Sequence, residues 1–398
     1  MNGVGYNLIT LILLETSMFS KKMGRRKFIK GLSATLLGVA TPTFLKVESP
    51  LGKTEKTPNL EYRTLGKTGL KVTTVGMGVM NCSDPAVLLR AFDLGINFYD
   101  TADCYMGGRN EEMVGKVFQG KRDKVFIQTK VHDHDDKQMR QSVERSLRRL
   151  KTDYIDVLVW HDFHRPEEVS NEKFFEFMTK MKKEGKTRFT GFSSHSSMAS
   201  LLKEAVKSNY HDVALVSYNF THSKNLKEAI ASASKKGLGI VAMKTQSGGY
   251  KKGATGGLNP HQAALKYVLS DPNVAAAVPG VTSIEQIEEC AAVMGTTISR
   301  NDLSQLREYQ AFLKGRTCTL CGGCTGECPY GVPYHDYLRS MIYYEGYQND
   351  TLARETIESI RISQSDGLCD RCPSCSITCL RGLDIKFQVK KAQEILIS

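Results

Sequence analysis

The chain has 398 residues, 11 cysteines and a formal net charge of +12. That length holds one large barrel plus an appendage, or two to three ordinary domains, and 41% apolar with 24% charged residues excludes global disorder. No run of about 18 apolar residues occurs, which excludes a multi-span membrane protein. Half of the positive excess sits in residues 1–60, so the rest of the chain offers no obvious basic stripe and no nucleic-acid partner is expected.

The first element is a leader. Arg25-Arg26 is followed by Phe28-Ile29-Lys30 and a weakly apolar stretch from Gly31 to Leu45. This resembles a twin-arginine (Tat) export signal, with Gly24 where Ser or Thr is usual. No clean A-x-A cleavage site is present, so the signal is expected to stay attached and to be the chain's one membrane contact. The segment Leu8 to Leu14 is too short to span a bilayer and reads as upstream leader, with Met18 or Met23 the true start. Residues 1–60 are thus signal and linker, predicting export to the periplasm or the outer face of the membrane. A cytoplasmic protein with a basic N-terminus is the alternative.

From Leu65 short β-branched runs alternate with helical segments. The predicted strands are Thr74–Val79, Asn97–Asp100, Val125–Thr129, Tyr154–Trp160, Arg188–Phe192, Val213–Tyr218, Gly239–Met243 and Ala275–Val278. Gln138–Leu150, with Met139, Val143 and Leu147 on one face, and Asn171–Glu184 are predicted helices. Eight βα repeats indicate an α/β fold, a (β/α)8 TIM barrel over residues 61–298. A doubly wound sheet is the alternative, but no G-x-G-x-x-G follows the first strand. A leading hairpin, Tyr62–Leu65 turning into Leu70–Val72, is expected to close the barrel bottom, and 299–315 reads as a connecting helix.

Barrel active sites lie at strand C-terminal ends. Strand two ends in Asp100, with Tyr105 in the following loop; strand three ends in Lys130 and strand four in His161. An ammonium beside a phenol favours the phenolate, an Asp holds the Lys, and the His can donate to a substrate oxygen. Other clusters read more simply. His132-Asp133-His134-Asp135-Asp136 has the residue types of a metal site, but no ligand spacing that fixes a geometry, and reads as a solvated loop. Cys104, beside Tyr105, either lines the pocket or, more simply, packs as a small buried residue. Ser247 to Gly257 is a cofactor cover or a lid.

Residues 316–398 carry C-x2-C-x2-C-x3-C twice: Cys318, Cys321, Cys324 and Cys328, then Cys369, Cys372, Cys375 and Cys379. In the bacterial ferredoxin run the fourth cysteine ligates the other cluster. Two [4Fe-4S] clusters are predicted, one on Cys318, Cys321, Cys324 and Cys379, the other on Cys369, Cys372, Cys375 and Cys328. Zinc is the competing reading of the C-x2-C pairs. The insert between the runs reads as helical and aromatic-rich.

The stretches LGKTGLKVTTVGMG, GINFYDTADCYMGGRNEEMVG, VFIQTK and DYIDVLVWHD resemble the aldo/keto reductases, and residues 316–398 resemble the ferredoxin-like extension of a subset of them. The resemblance implies hydride transfer between NADP(H) or NAD(H) and a small carbonyl or alcohol. It implies Tyr105 as general acid tuned by Lys130, Asp100 paired with Lys130, and His161 orienting the carbonyl. On the cofactor side it implies Ser193 and Ser194 for the carboxamide, with Ser194 a substitution, and a Leu at 215 where Gln is usual. It places Met243 and Lys244 beside the nicotinamide, Thr282 and Gln286 at the adenosine phosphate and Glu289 at the adenine. A redox partner protein is a further expectation. A catalytically altered barrel, serving as a binding or electron-carrier module with structural clusters, is the alternative function.

Overall fold

The computed structural model describes residues 58–132, 135–247, 260–359 and 367–397. The segment read as a twin-arginine leader, Asp133 and His134 of the His/Asp run, and the glycine-rich stretch 248–259 lie outside these residues. The chain from Lys56 to Ser398 is one compact unit.

A hairpin comes first. β1 (Tyr62–Thr64) pairs antiparallel with β2 (Lys71–Thr73), Tyr62 opposite Thr73. Its turn passes through Gly66 at φ +51°, where a Cβ would stand 2.4 Å from the Gly237 carbonyl oxygen, so the position takes glycine alone. Leu65 beside it is wholly buried and enters the barrel bottom.

Eight parallel strands follow, hydrogen-bonded in chain order: β3 (Met77–Gly78), β4 (Phe98–Asp100), β5 (Phe126–Val131), β6 (Ile155–Trp160), β7 (Thr187–Ser194), β8 (Val213–Ser217), β9 (Gly239–Met243) and β10 (Ala276–Ala277). Bridges Val75–Ala277 and Gly78–Gly280 join the first strand to the last, giving a nearly closed barrel. The outer ring comprises α1 (Pro85–Asp93), α2 (Arg109–Val117), α3 (Asp136–Leu150), the short α4 (Pro166–Val169), α5 (Glu172–Lys183), α6 (Met198–Ser208), α7 (Lys224–Lys235), α8 (Pro260–Leu269) and α9 (Ile284–Ala291). Local chemistry sets the helix starts. Asp84 accepts from Ala86 N ahead of Pro85, and Asp135, expected in a solvated loop, caps α3 through Lys137 N and Gln138 N.

Strand period sorts the side chains. Val157 and Val159, Val213 and Leu215, Val241 and Met243 fill the barrel interior with Leu65 and Phe98. Leu158, Trp160, Ala214, Val216, Ile240 and Ala242 face the helices. Phe98 points inward, so Asp100, two residues on, does too, and Lys130 follows on β5 by the same alternation.

One expectation needs correction. The first strand is ordered as a ladder over Met77–Gly78 alone, not Thr74–Val79, because the residues before it join the sheet through a single bridge at Val75. The connecting helix is α10 (Arg300–Leu313), started by a Ser299–Asp302 capping box. Its Leu306, Tyr309 and Leu313 pack with Phe220, Ala263 and Ala264, which ties the connecting helix to the outer ring.

The tail adds β11 (Cys324–Thr325), α11 (Tyr334–Met341), α12 (Asp350–Ser359), β12 (Thr378–Cys379) and α13 (Ile385–Leu396). α11 runs on through a π turn, Ile342–Gly346. Tyr337, Leu338, Met341, Ile357, Val389 and Leu396 form its own apolar core. The tail seats on the C-terminal rim of the barrel just beyond β8: Asn219 donates to Thr319 O (3.3 Å), His222 Nε2 contacts Leu320 O (2.9 Å), and Arg381 donates to Thr221 O.

Candidate active site

The four residues expected at the strand ends come together. Lys130 Nζ, its side chain only 1% exposed, donates to Asp100 Oδ2 (2.8 Å), Thr101 O (2.7 Å) and Tyr105 Oη (3.1 Å). Its three N–H groups are thereby all used. The other Asp100 oxygen accepts from Gln128 Nε2 at 2.7 Å. The His161 ring stands edge-on to Tyr105, centroids 5.9 Å apart. Lys130 lies within β5, which continues to Val131. All four line, or directly back, a cavity of about 1740 Å³ at the barrel mouth.

The electrostatics run against the expectation that the neighbouring ammonium favours the phenolate. Burial, then the neighbouring Asp100, Cys104 and Tyr343, push the Tyr105 phenol well above its usual range, against a weaker opposing effect of Arg339. Tyr105 is thus a proton donor held in its neutral form. Burial and then Lys130 hold His161 well below the ordinary 6.5, so its imidazole is neutral. A neutral ring and a protonated phenol side by side suit donation to a developing alkoxide.

The cofactor-side residues divide. Met243, Lys244, Thr282, Gln286 and Glu289 line the cavity. Gln286 Oε1 accepts from Thr282 N (2.8 Å) and Oγ1 (3.1 Å), while Ser283 caps α9. Ser193 and Ser194 do not reach the cavity. Ser193 Oγ accepts from Asp162 N at 2.9 Å, and the single Ser194 hydroxyl proton is shared between Phe163 O and Ser196 O, which lie 2.7 and 2.5 Å from Oγ. Both hydroxyls tie the β6 loop to the end of β7, which keeps them from the cavity. Leu215 is likewise not at a strand end. It lies inside β8, wholly buried in the barrel interior, and the strand closes at Ser217.

Cys104 takes the pocket-lining alternative: it lines the cavity with Sγ 3.8 Å from His161 Nδ1. Several site residues were not anticipated. Asp162 and His195 follow β6 and β7, bonded at 2.8 Å. The outer wall comes from the tail. Asp336, Arg339, Tyr343 and Tyr347 are spaced 3, 4 and 4 residues apart, one helical face turned to the cavity. That stripe was readable in the insert. Tyr343 Oη accepts from Lys244 Nζ at 3.0 Å, and Lys244 lies over the Tyr343 and Tyr347 rings at 4.4 and 5.3 Å.

The eight thiols form two groups. Cys324 pairs directly with Cys379 across β11 and β12. Cys318 has Cys324, Cys321 and Cys379 as its charged neighbours, and burial with their repulsion pushes its thiol up to about 12. Cys369 has Cys328, Cys375 and Cys372. The fourth cysteine of each run therefore sits with the other run's first three. Deprotonation of Cys318, Cys324 and Cys369, all raised by burial and neighbouring thiols, is opposed until cations arrive.

A barrel whose strand ends bring an Asp, a Tyr, a Lys and a His to one cavity defines the oxidoreductase class in which a carbonyl is reduced. The sequence model of the Aldo/keto reductase family matches residues 79–256 and 250–311, more than half of the chain. The chain belongs to the aldo/keto reductase family. It is 29% identical over 303 residues to an L-galactose dehydrogenase of Arabidopsis thaliana, covering 64% of this chain and 95% of that one. Its fold is similar to an aldo-keto reductase from Bacillus halodurans, TM-score 0.53 and 25% identity over 63% of this chain and 96% of that one. It is similar to the same degree, TM-score 0.53 and 26% identity over 63% and 95%, to an aldo-keto reductase from Klebsiella pneumoniae in complex with NADPH. The family match ends at residue 311, before Cys318, the first cysteine of the tail.

Proposed function

We propose that this oxidoreductase reduces the carbonyl of a small aldehyde or ketone, or oxidises the corresponding alcohol, with NADP(H), and that its tail holds two [4Fe-4S] clusters. The observation that carries the reductase reading is Lys130 joining Asp100 and Tyr105 on one cavity wall. The cavity suits a nucleotide: Asn81 Oδ1 and Thr245 Oγ1 on its wall, and the neighbouring Ser247 Oγ, are buried with no hydrogen-bond partner among the described residues. Met243, Lys244, Thr282, Gln286 and Glu289 would hold the nucleotide, with the start of α9 near its phosphates. The preference for NADP(H) rests on the Klebsiella relative, and the nicotinamide supplies a hydride when bound.

The chain's own residues supply the rest. Tyr105 donates a proton to the carbonyl oxygen. Lys130 fixes the phenol, and Asp100 fixes Lys130. Neutral His161 donates a hydrogen bond to the same oxygen and sets its approach. Arg339, Tyr343 and Tyr347 close the outer side and exclude water.

The thiols fit clusters better than zinc. A tetrahedral zinc with Zn–S of about 2.3 Å needs sulfurs about 3.8 Å apart. Among the described residues no three of the eight have sulfurs all within 4.8 Å of one another. The grouping with exchanged fourth cysteines is that of two-cluster ferredoxins. The clusters would brace the tail and pass single electrons to a redox partner protein, since a hydride moves two electrons at once.

The leader is proposed to export the folded chain through the twin-arginine route, keeping pre-loaded cofactors. Among the described residues no helix is long and apolar enough to cross a membrane. A reporter fused after Leu60 that stayed in the cytoplasm would overturn export and leave the reductase standing.

The deciding experiment is purification without oxygen, followed by iron, sulfide, zinc and nucleotide analysis and an NADPH-oxidation assay over short aldehydes and ketones. Expected are about eight irons with matching sulfide, bound NADP(H), and carbonyl-dependent turnover. Zinc without sulfide would overturn the clusters. Absence of both nucleotide and turnover would overturn the reductase.

A further inference from the structure

Three consecutive strands deliver a second set of donors beside Tyr105. Cys104 follows β4, His132 follows β5 and His161 follows β6. One sulfur and one nitrogen of each ring all lie within 4.8 Å of one another, the spacing of neighbouring strands. Cys104 Sγ and His161 Nδ1 are 3.8 Å apart. In a tetrahedral site with Zn–S about 2.3 Å and Zn–N about 2.05 Å, sulfur and nitrogen stand about 3.6 Å apart.

A separate observation points to a ligand. Asp103 is only 7% exposed, and its Oδ1 has no hydrogen bond among the described residues. That oxygen faces His132 Nδ1 at 3.4 Å, and Arg145 Nη2 lies 4.0 Å from the other oxygen. A carboxylate on the far nitrogen of a histidine is how proteins fix the ring of a metal ligand. With Nδ1 turned to Asp103, the ion would be held by the other ring nitrogen. Asp162, His164 and Asp336 also converge, but Arg339 pairs with both of those carboxylates and takes the place of a cation.

We propose that Cys104, His132 and His161 form a three-ligand site for a zinc-class divalent ion, with Asp103 orienting His132 and the cavity side open for a fourth ligand. Cys/His donors and an open position match zinc sites that keep a water. Binding releases the Cys104 thiol proton to solvent. The ion takes His161 away from the carbonyl, so an occupied site switches reduction off. The effect on turnover rests on the proposed reductase reading; the binding does not.

The test uses the full chain, cluster-loaded and kept from oxygen so that the eight tail cysteines are occupied. Zinc uptake is followed by calorimetry, and cadmium by its thiolate charge-transfer absorption. Expected is one equivalent beyond the clusters. Asp103→Asn should weaken it about 10- to 100-fold, and Cys104→Ser and His132→Ala by more. Cys104→Ser should also remove the cadmium–thiolate band. In the turnover assay zinc should inhibit the parent protein, with His132→Ala resistant. No uptake by the parent, or equal affinity in Cys104→Ser and His132→Ala, overturns the site. A chain without carbonyl turnover leaves the calorimetry and the cadmium band to decide.

Discussion

Arg339, from the cysteine-bearing tail, is ion-paired with Asp162, two residues beyond the end of β6. The same guanidinium donates to Asp336 Oδ1 at 2.7 Å and lies 3.1 Å from His195 Nδ1. Burial alone would raise the Asp162 carboxyl, but Arg339 and then His195 hold it well below the usual carboxylate range. The pair joins tail to barrel at the rim of the cavity. The outer wall of the reductase site therefore exists only while the tail is folded, and whatever folds the tail governs the site.

Arg339→Ala should release that wall. It strands Asp162 as a largely buried charge, and breaking such a pair costs about 3–5 kcal/mol. Hydrogen exchange should rise across α11 and its π turn and stay unchanged in β6 and β7. Substrate KM should rise more than kcat falls, because the wall binds and does not react. Arg339→Lys should restore part of the protection. Unchanged exchange in α11 would show that the apolar core of the tail holds the wall alone.

Tyr105→Phe removes the proton donor with little change in shape. Loss of a positioned general acid is expected to lower kcat for carbonyl reduction about 10²- to 10⁴-fold. Nucleotide affinity should be unchanged, since the phenol faces Lys130. Lys130→Met should also lower kcat but leave Asp100 buried without its cation, and so lower thermal stability as well. Reduction that survives Tyr105→Phe would transfer the acid role to another group.

The pH profile follows from the same burial. Tyr105 is raised above its ordinary 10.0, so the donor form is fully present through neutral pH. His161 is lowered below 6.5, so its neutral form is fully present too. Reduction should thus run flat between about pH 6.5 and 9. Alcohol oxidation needs the phenolate and should climb with pH across that window without levelling. A reduction limb near pH 6.5, lost in His161→Ala, would show that the ring is solvated and charges in the ordinary way.

Much of this was legible in the sequence. The eight alternations, the hairpin plug and the order of the four polar strand ends rest on local periodicity, which survives folding. Less so the strand lengths: β3 shrinks because its neighbours join through a bridge, and β7 runs on to Ser194. Leu215 misled because a position counted from a motif says nothing about where a strand stops. The direction of the Ser193 and Ser194 hydroxyls was not legible, because it depends on the β6 loop that they tie. The outer wall needed contacts between residues 162 and 339, a pairing no local pattern carries. The spacing of Asp336, Arg339, Tyr343 and Tyr347 did mark a face, but not what it faces.

The exchanged fourth cysteines can be read by counting iron. The structure sets Cys379 opposite Cys324 and puts Cys328 among the neighbours of Cys369. If Cys318 and Cys379 serve one cluster, a Cys318→Ser/Cys379→Ser chain should lose no more than that cluster and keep about four irons. If Cys318 and Cys328 serve different clusters, Cys318→Ser/Cys328→Ser should lose iron from both, near the sum of the single losses. Non-additivity in the first pair and additivity in the second is the signature of shared and separate sites. Iron and acid-labile sulfide measured on protein kept from oxygen decide it. The reverse pattern, with Cys318 and Cys328 failing to add, would mean that each run closes on its own cluster and that the pairing across β11 and β12 is only a backbone contact.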